Sequence, residues 1–264
     1  MKRLLIAILL AASAGRPATK LEVSVVDPKT GKVVAGLNAA DFTVLDDRTP
    51  RQVEAAEFAV TPIDVMLLLD TSLVGEMVQS VADTLIAQVG EKEQMAIVSY
   101  HSSADLIQDF TSSRELLRRA VAGVKYGNMP QVLDALYAAI DGGFDHATMR
   151  RVILVLTTGY EGDSRVDQRQ VLRMARRNGV SISTVYVSGA ERSMFEALAR
   201  QTGGACFNLR DLRKVAKEPP GKQIFEVLRS RYTLTITGNL SIGEKLKVEV
   251  KRPGKLFVSA LAVE

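Results

Sequence analysis

Two stretches of this chain, Val65-Met66-Leu67-Leu68-Leu69 and Val152-Ile153-Leu154-Val155-Leu156, are unbroken runs of apolar residues. A strand with one wet face alternates apolar and polar residues, so a run without a polar face must be covered on both sides. Around these runs the pattern shifts to helical spacing over 76–89, 113–124, 131–140, 166–177 and 192–201, with further strands over 95–100 and 181–187. Apolar strands alternating with amphipathic helices predict a mostly parallel sheet between two helical layers, a three-layer Rossmann-like α/β fold.

The two ends of the chain have a different texture. Leu21, Val23 and Val25 alternate with Glu22 and Ser24, and Tyr232, Leu234 and Ile236 alternate with threonines. Residues 246–251 and 256–262 continue the same period of two, and Asp27-Pro28-Lys29-Thr30-Gly31 and Pro253-Gly254 are turns. These segments predict a small β-sandwich-like domain built from both ends, 19–60 and 229–264, with the α/β domain, 61–228, inserted between them. Lys217 to Gly221, with Pro219-Pro220, reads as a linker, and Asp46-Asp47 beside Arg48 as a solvated turn.

Met1-Lys2-Arg3, an apolar run from Leu4 to Ala12, and Ser13-Ala14 form the charged, apolar and small-residue regions of a signal peptide over 1–14. The apolar run is about half the ~20 residues of a spanning helix, so export to the periplasm or beyond is expected, without a membrane span. Net charge is +4, and +2 once Lys2 and Arg3 are removed. That is too weak a charge, with too few aromatics among the arginines, to point to nucleic acid. The single cysteine, Cys206, excludes an intrachain disulfide and reads as a small buried hydrophobe. Only His101 and His146 are available for imidazole chemistry.

Leu69-Asp70-Thr71-Ser72 ends the first apolar strand. It resembles the Asp-x-Ser-x-Ser loop of von Willebrand factor A domains. Asp41-Phe42-Thr43-Val44-Leu45-Asp46-Asp47, Leu156-Thr157-Thr158-Gly159, Thr202-Gly203-Gly204 and Leu228-Arg229-Ser230-Arg231-Tyr232 resemble, in order, further segments of the bacterial exported "VWFA-related" proteins. The resemblance implies a non-enzymatic adhesion or protein-recognition module. It also implies a metal-ion-dependent adhesion site, where hydroxyls and aspartates hold Mg²⁺ above the carboxyl ends of the strands. Against that pattern, Asp70 and Ser72 survive. Val74 stands for the second serine, Pro130 (or Asn128) for the threonine four residues before Asp134-Ala135, and Thr158 for the aspartate. Mg²⁺ demands six oxygens, so the expectation is a degenerate site with no metal cofactor.

The expected partner-contacting residues are Asp70, Ser72, Asn128 and Thr158, with Arg169 and Arg173 on a cationic stripe running from Arg165 to Arg176-Arg177. An acidic or envelope-associated protein suits the stripe, and a solvated helix face is the plainer alternative. Asp70 and Ser72 have a structural alternative as caps of the following helix. Glu76, Glu161 and Asp163 are acidic neighbours able to rebuild a different metal site. Two other functions stay open: a hydrolase using Ser72 (with His101) or a rebuilt metal site, and a structural subunit of an envelope complex.

Overall fold

The computed structural model describes residues 18–73, 75–187, 192–215, 219–240 and 246–263. The expected signal peptide, 1–14, lies outside them. The chain opens with β1 (Ala18–Asp27), β2 (Lys32–Val33), β3 (Phe42–Asp46), β4 (Thr49–Arg51) and β5 (Val53–Val60). The central region runs β6 (Ile63–Asp70), α1 (Glu76–Ile86), β7 (Gln94–Tyr100), β8 (Ala104–Thr111), α2 (Arg114–Ala122), α3 (Val132–Ile140) and β9 (Arg150–Thr157). It continues with α4 (Gln168–Arg177), β10 (Ser181–Tyr186), α5 (Arg192–Gln201), β11 (Cys206–Asn208), α6 (Leu209–Val215) and α7 (Pro220–Arg229). β12 (Ser230–Thr237), β13 (Leu246–Val250) and β14 (Phe257–Val263) close it.

The two apolar runs are the middle of the central sheet, whose order is β11-β10-β9-β6-β7-β8. Every residue of β6 is buried. Val65, Leu67 and Leu69 enter a core shared with α1, α2 and α7, whereas Met66 and Leu68 enter one shared with α3, α4 and α5. The period of two thus divides one strand between two cores, and the apolar run needs no polar face. All neighbours in this sheet are parallel except β7 and β8. No helix among the described residues is long and apolar enough to cross a membrane.

The chain ends meet in a second sheet of order β14-β1-β12-β5, in which β1 pairs antiparallel with both C-terminal strands. Its inward residues Leu21, Val23, Leu234 and Ile236 pack against Phe42 and Val44 of a third sheet, β13-β3-β4. Tyr232 spans this core: its hydroxyl donates to the Val34 carbonyl (2.9 Å) and accepts from Leu37 N–H (3.1 Å). A buried phenol whose hydroxyl both donates and accepts ties β12 to the segment that connects β2 to β3.

Some local expectations need correction. Pro219-Pro220 does not mark a linker. Pro220 occupies the first turn of α7, where a missing N–H is harmless, and Ile224, Phe225 and Leu228 bury that helix. Lys217 lies outside the described residues. Asp46 is not solvated either: it is 2% exposed and pairs with Arg51 at 2.9 Å. Only Asp47 and Arg48, both at positive φ, make the turn between β3 and β4. Cys206 is half-buried, and its thiol is pushed well up in pKa, first by burial and then by Glu196.

One ion pair ties the region together where α7 hands the chain to β12. Arg229 grips Glu93, with Nε 2.8 Å from Oε1 and Nη2 2.5 Å from Oε2, and it also donates to the Gln88 carbonyl (2.7 Å). Ile63 and Gly90 N–H add two more donors to the same carboxylate. Burial works to raise the Glu93 carboxyl, but Arg229 and these N–H groups outweigh it, and the group sits below its ordinary value.

Candidate functional site

β6 and β9 deliver their last residues to the carboxyl edge of the parallel sheet, where strands of this topology present ligands. Asp70 is fully buried there. Its Oδ1 accepts from Ser72 N–H (3.0 Å), and its Oδ2 accepts from Thr158 N–H (3.0 Å), Thr158 Oγ1 (2.9 Å) and Thr157 Oγ1 (3.3 Å). Four donors for one carboxylate approach its hydrogen-bonding capacity. Gly75 lets the loop fold back on the strand end, since a Cβ there would lie 2.2 Å from the Asp70 carbonyl.

The neighbouring loops are bound to this one through the backbone. Leu73 N–H donates to the Asn128 carbonyl (3.3 Å), and Gly127 N–H donates to that of Thr71 (2.9 Å). Asn128 adopts φ 59° and its amide reaches Ser102 Oγ at 3.4 Å. Asp70, Ser72 and Thr158 therefore come together, but they are buried, at 0%, 2% and 7% exposure, and of the four expected contacts only Asn128 is exposed. Around them stand three large apolar side chains that sequence reasoning passed over: Leu73 (72% exposed), Met129 (56%) and Tyr160 (52%). Each follows closely on an expected site position, and that adjacency was the available signal.

A family model for the von Willebrand factor type A domain matches residues 64–219. The chain belongs to the von Willebrand factor type A (VWA) family. Among solved structures, proximal thread matrix protein 1 from the mussel byssus is similar with a TM-score of 0.56 at 15% identity, covering 70% of this chain and 51% of that one. A von Willebrand factor type A protein from Catenulispora acidiphila is similar over 94% of this chain and 74% of its own, with a TM-score of 0.54 at 12% identity. A further mussel structure, described as having a zinc occupied MIDAS motif, gives 0.54 at 15% identity over 70% of this chain and 50% of that one. This chain thus spans about half the length of the mussel protein, and at these identities the likeness concerns the fold. No curated protein matches the sequence. VWA domains are generally protein-interaction modules.

The VWA metal site can be tested against the residues present. Thr158, at the position of the family's aspartate, gives two hydrogen bonds to Asp70 instead of adding a second negative charge. Two facing carboxylates call for a cation, whereas a carboxylate facing a hydroxyl and an N–H is already neutralised by hydrogen bonds. Pro130 is buried without a side-chain oxygen, and its carbonyl packs where a Cβ on Gly162 would stand. Val74 lies outside the described residues, and its side chain has no oxygen. Ser72 Oγ is buried without a hydrogen-bond partner and is left as one free donor. This set does not fit a hard cation that requires near-octahedral oxygen coordination.

Nor does a different acidic cluster replace it: no group of three or more His, Cys, Asp or Glu residues suited to a metal occurs among the described residues. Glu76 opens α1 on the exposed side, Asp163 is exposed, and Glu161 contributes its carbonyl to Val132 N–H. Neither Asp70 nor Ser72 caps α1, whose N-cap is Gly75 with no side-chain bond. Among the described residues no base is hydrogen-bonded to the Ser72 hydroxyl, and His101 Nδ1 meets Ser102. Burial, and secondly Asp70, raise the Tyr100 hydroxyl well above its usual pKa, so it stays protonated beside the carboxylate.

The cationic stripe is shorter than expected. Arg165 precedes α4, and its N–H donates to Asp134, the acidic residue that heads α3. Arg176 turns toward Gln201, donating to its side-chain oxygen at 2.7 Å. Arg169, Arg173 and Arg177 remain exposed on α4 one turn apart.

Proposed function

We propose that this chain is an exported, non-enzymatic VWA module that recognises a protein partner through the carboxyl-edge loops and does so without a divalent ion. The reading rests on one observation: the Asp70 carboxylate is occupied by four donors of its own fold, while the neighbouring loops expose the large apolar side chains of Leu73, Met129 and Tyr160. In the family's metal-dependent mode the ion offers a charge to a partner's carboxylate. Here the loops offer Leu73, Met129 and Tyr160 around the amide of Asn128. Met adapts to irregular surfaces, and Tyr combines a large contact area with a polar tip, as in well-packed interface centres. Export is supported by the arrangement of residues 1–14 alone. An envelope-associated partner follows from export, and exposed Arg169 and Arg173 favour an acidic surface beside the contact.

Titrating MgCl₂ or MnCl₂ into the mature protein by calorimetry is expected to give a flat trace and an unchanged melting temperature. Micromolar binding lost in Asp70→Ala would overturn the metal-free reading. A Leu73→Ser/Met129→Ser/Tyr160→Ser variant should fold with stability within about 1 kcal/mol of the parent, because exposed positions contribute little to folding. The same variant should lose capture of a partner from its own cell envelope, and that capture should survive a chelator. Capture that EDTA abolishes and the triple variant retains would sink the proposal.

A further inference from the structure

On the outer face of one helical layer, charge changes sign from one side of α3 to the other. α3 packs on β6, β7 and β8 with α4 beside it, so it lies between α4 and the edge strand β8. α4 carries four arginines and no acidic residue. Three of them, Arg169, Arg173 and Arg177, are exposed one turn apart and make no hydrogen bond or ion pair among the described residues. The fourth, Arg176, turns to Gln201 and is not part of this face.

Beyond α3 the sign is reversed. Asp109 of β8 and Asp141 and Asp145 of the loop after α3 are exposed. Phe144 holds that loop against β8 by packing on Phe110, with ring centroids 5.7 Å apart. Neither 104–111 nor 141–148 contains a lysine or arginine, and His146, 3.3 Å from Asp109, is the one basic side chain in either segment. Between the two charged flanks runs the outward side of α3, with Tyr137 half-buried and Ala138 exposed. A groove of about 330 Å³ beside it is lined by Tyr137, Gln170, Arg173, Met174 and Arg177.

This arrangement is unfavourable for an isolated chain. Like charges four residues apart on a helix repel, and Arg169 stands in the first turn, where the helix dipole disfavours a cation. Nor does β8 invite another strand. Its register with β7 is interrupted twice, Asp109 accepts the Phe110 N–H (2.7 Å), and the Gln108 amide donates to the Asp109 carbonyl (3.0 Å). What this face offers a partner is side chains.

We propose that the face is the interface of a symmetric dimer of this chain. A two-fold axis through α3, perpendicular to the face, lays the arginines of α4 on one copy over Asp109, Asp141 and Asp145 of the other, and the reciprocal contact forms at the same time. A foreign acidic surface matches only the α4 half, whereas a second copy matches both halves at once. Tyr137 and Ala138 of the two copies meet at the axis, where a small residue allows close approach and an aromatic supplies contact area. The acidic surface that Arg169 and Arg173 favour is then another copy's, whatever the apical loops bind.

Sedimentation equilibrium of the mature protein tests the assignment. In about 50 mM NaCl a monomer–dimer equilibrium is expected, with a dissociation constant on the order of 10–100 µM. It should shift to monomer in about 0.5 M NaCl, because salt screens exposed charge pairs. By symmetry each substitution alters two contacts. Arg173→Glu and Asp145→Arg, both at exposed positions and both checked for an unchanged melting temperature, should each weaken the dimer about tenfold or more. An equimolar mixture of the two variants should dimerise again, since the reversed charge on one copy meets a reversed charge of opposite sign on the other. The Leu73→Ser/Met129→Ser/Tyr160→Ser variant should dimerise as the parent does, so that failure of the dimer and failure of the apical reading show separately. A parent that stays monomeric at about 500 µM in low salt would overturn the proposal. So would a species that grows past the dimer with concentration, an unchanged affinity in either charge variant, or a mixture that stays monomeric.

Discussion

Asp70→Ala is expected to lower the unfolding free energy by about 3–5 kcal/mol, by the same amount in EDTA and in magnesium. The substitution leaves Ser72 N–H and Thr158 N–H without their acceptor in a place from which water is excluded, and each such orphan costs about 1–3 kcal/mol. Asp70→Asn should also destabilise, because its amide can aim an oxygen at only some of the donors and brings an NH₂ against the rest. A site built for a cation behaves in the opposite way: neutralising one of its acids stabilises the metal-free protein, and magnesium stabilises the parent. Urea unfolding of the parent and both variants, with and without MgCl₂, separates these patterns. A parent that gains stability with magnesium while Asp70→Asn does not would refute the hydrogen-bonded account.

The second large effect is expected at Glu93. Glu93→Ala should cost about 3–5 kcal/mol, because it strands the Arg229 guanidinium, which is largely shielded, together with the Gly90 and Ile63 donors. Removing both partners in Glu93→Ala/Arg229→Ala should cost less than the sum of the single changes. The acid limb carries a signature of its own. The folded carboxyl sits below its ordinary value, so its contribution is complete above the unfolded value of about 4.3 and disappears as pH falls through the folded one. Glu93→Gln should therefore flatten the decline in stability on the acid side of about pH 4.3. Urea midpoints measured at steps from neutral pH into acid provide the check, and an unchanged slope would remove Glu93 from that decline.

The layers of the fold were legible because their signal is local. β6 and β9 declare themselves by the unbroken apolar runs at their centres, 65–69 and 152–156, and α4 by placing Val171, Leu172 and Ala175 on one side and its arginines on the other. β8 escaped detection because an antiparallel edge strand half-open to water, carrying Asp105, Gln108 and Asp109, has little apolar pattern to show. α7 was obscured by Pro219-Pro220-Gly221. Gly221 is there for close packing, since a Cβ would stand 2.1 Å from the Thr84 carbonyl of α1. At the site, Asp70 could be read from the end of its strand, but the part played by Thr158 could not. A threonine in place of an acid counts as a lost ligand in sequence and becomes a donor only when its distance to Asp70 is known.

That meeting of the ends has a kinetic consequence for a nascent chain. β1 hydrogen-bonds on one side to β12 and on the other to β14, and the early strand β2 pairs only with Val26 and Asp27, so both edges over Leu21 to Val23 stay uncovered until residues 230–263 exist. At a synthesis rate of about 5–20 residues per second, that wait lasts roughly 10–40 s. Over that interval Leu21, Val23 and Val25 form a sticky ribbon seeking any partner, including the same ribbon on another ribosome. The central α/β layers, whose strands pair over shorter separations, are positioned to fold first and hold the two ends near each other when the last strand arrives.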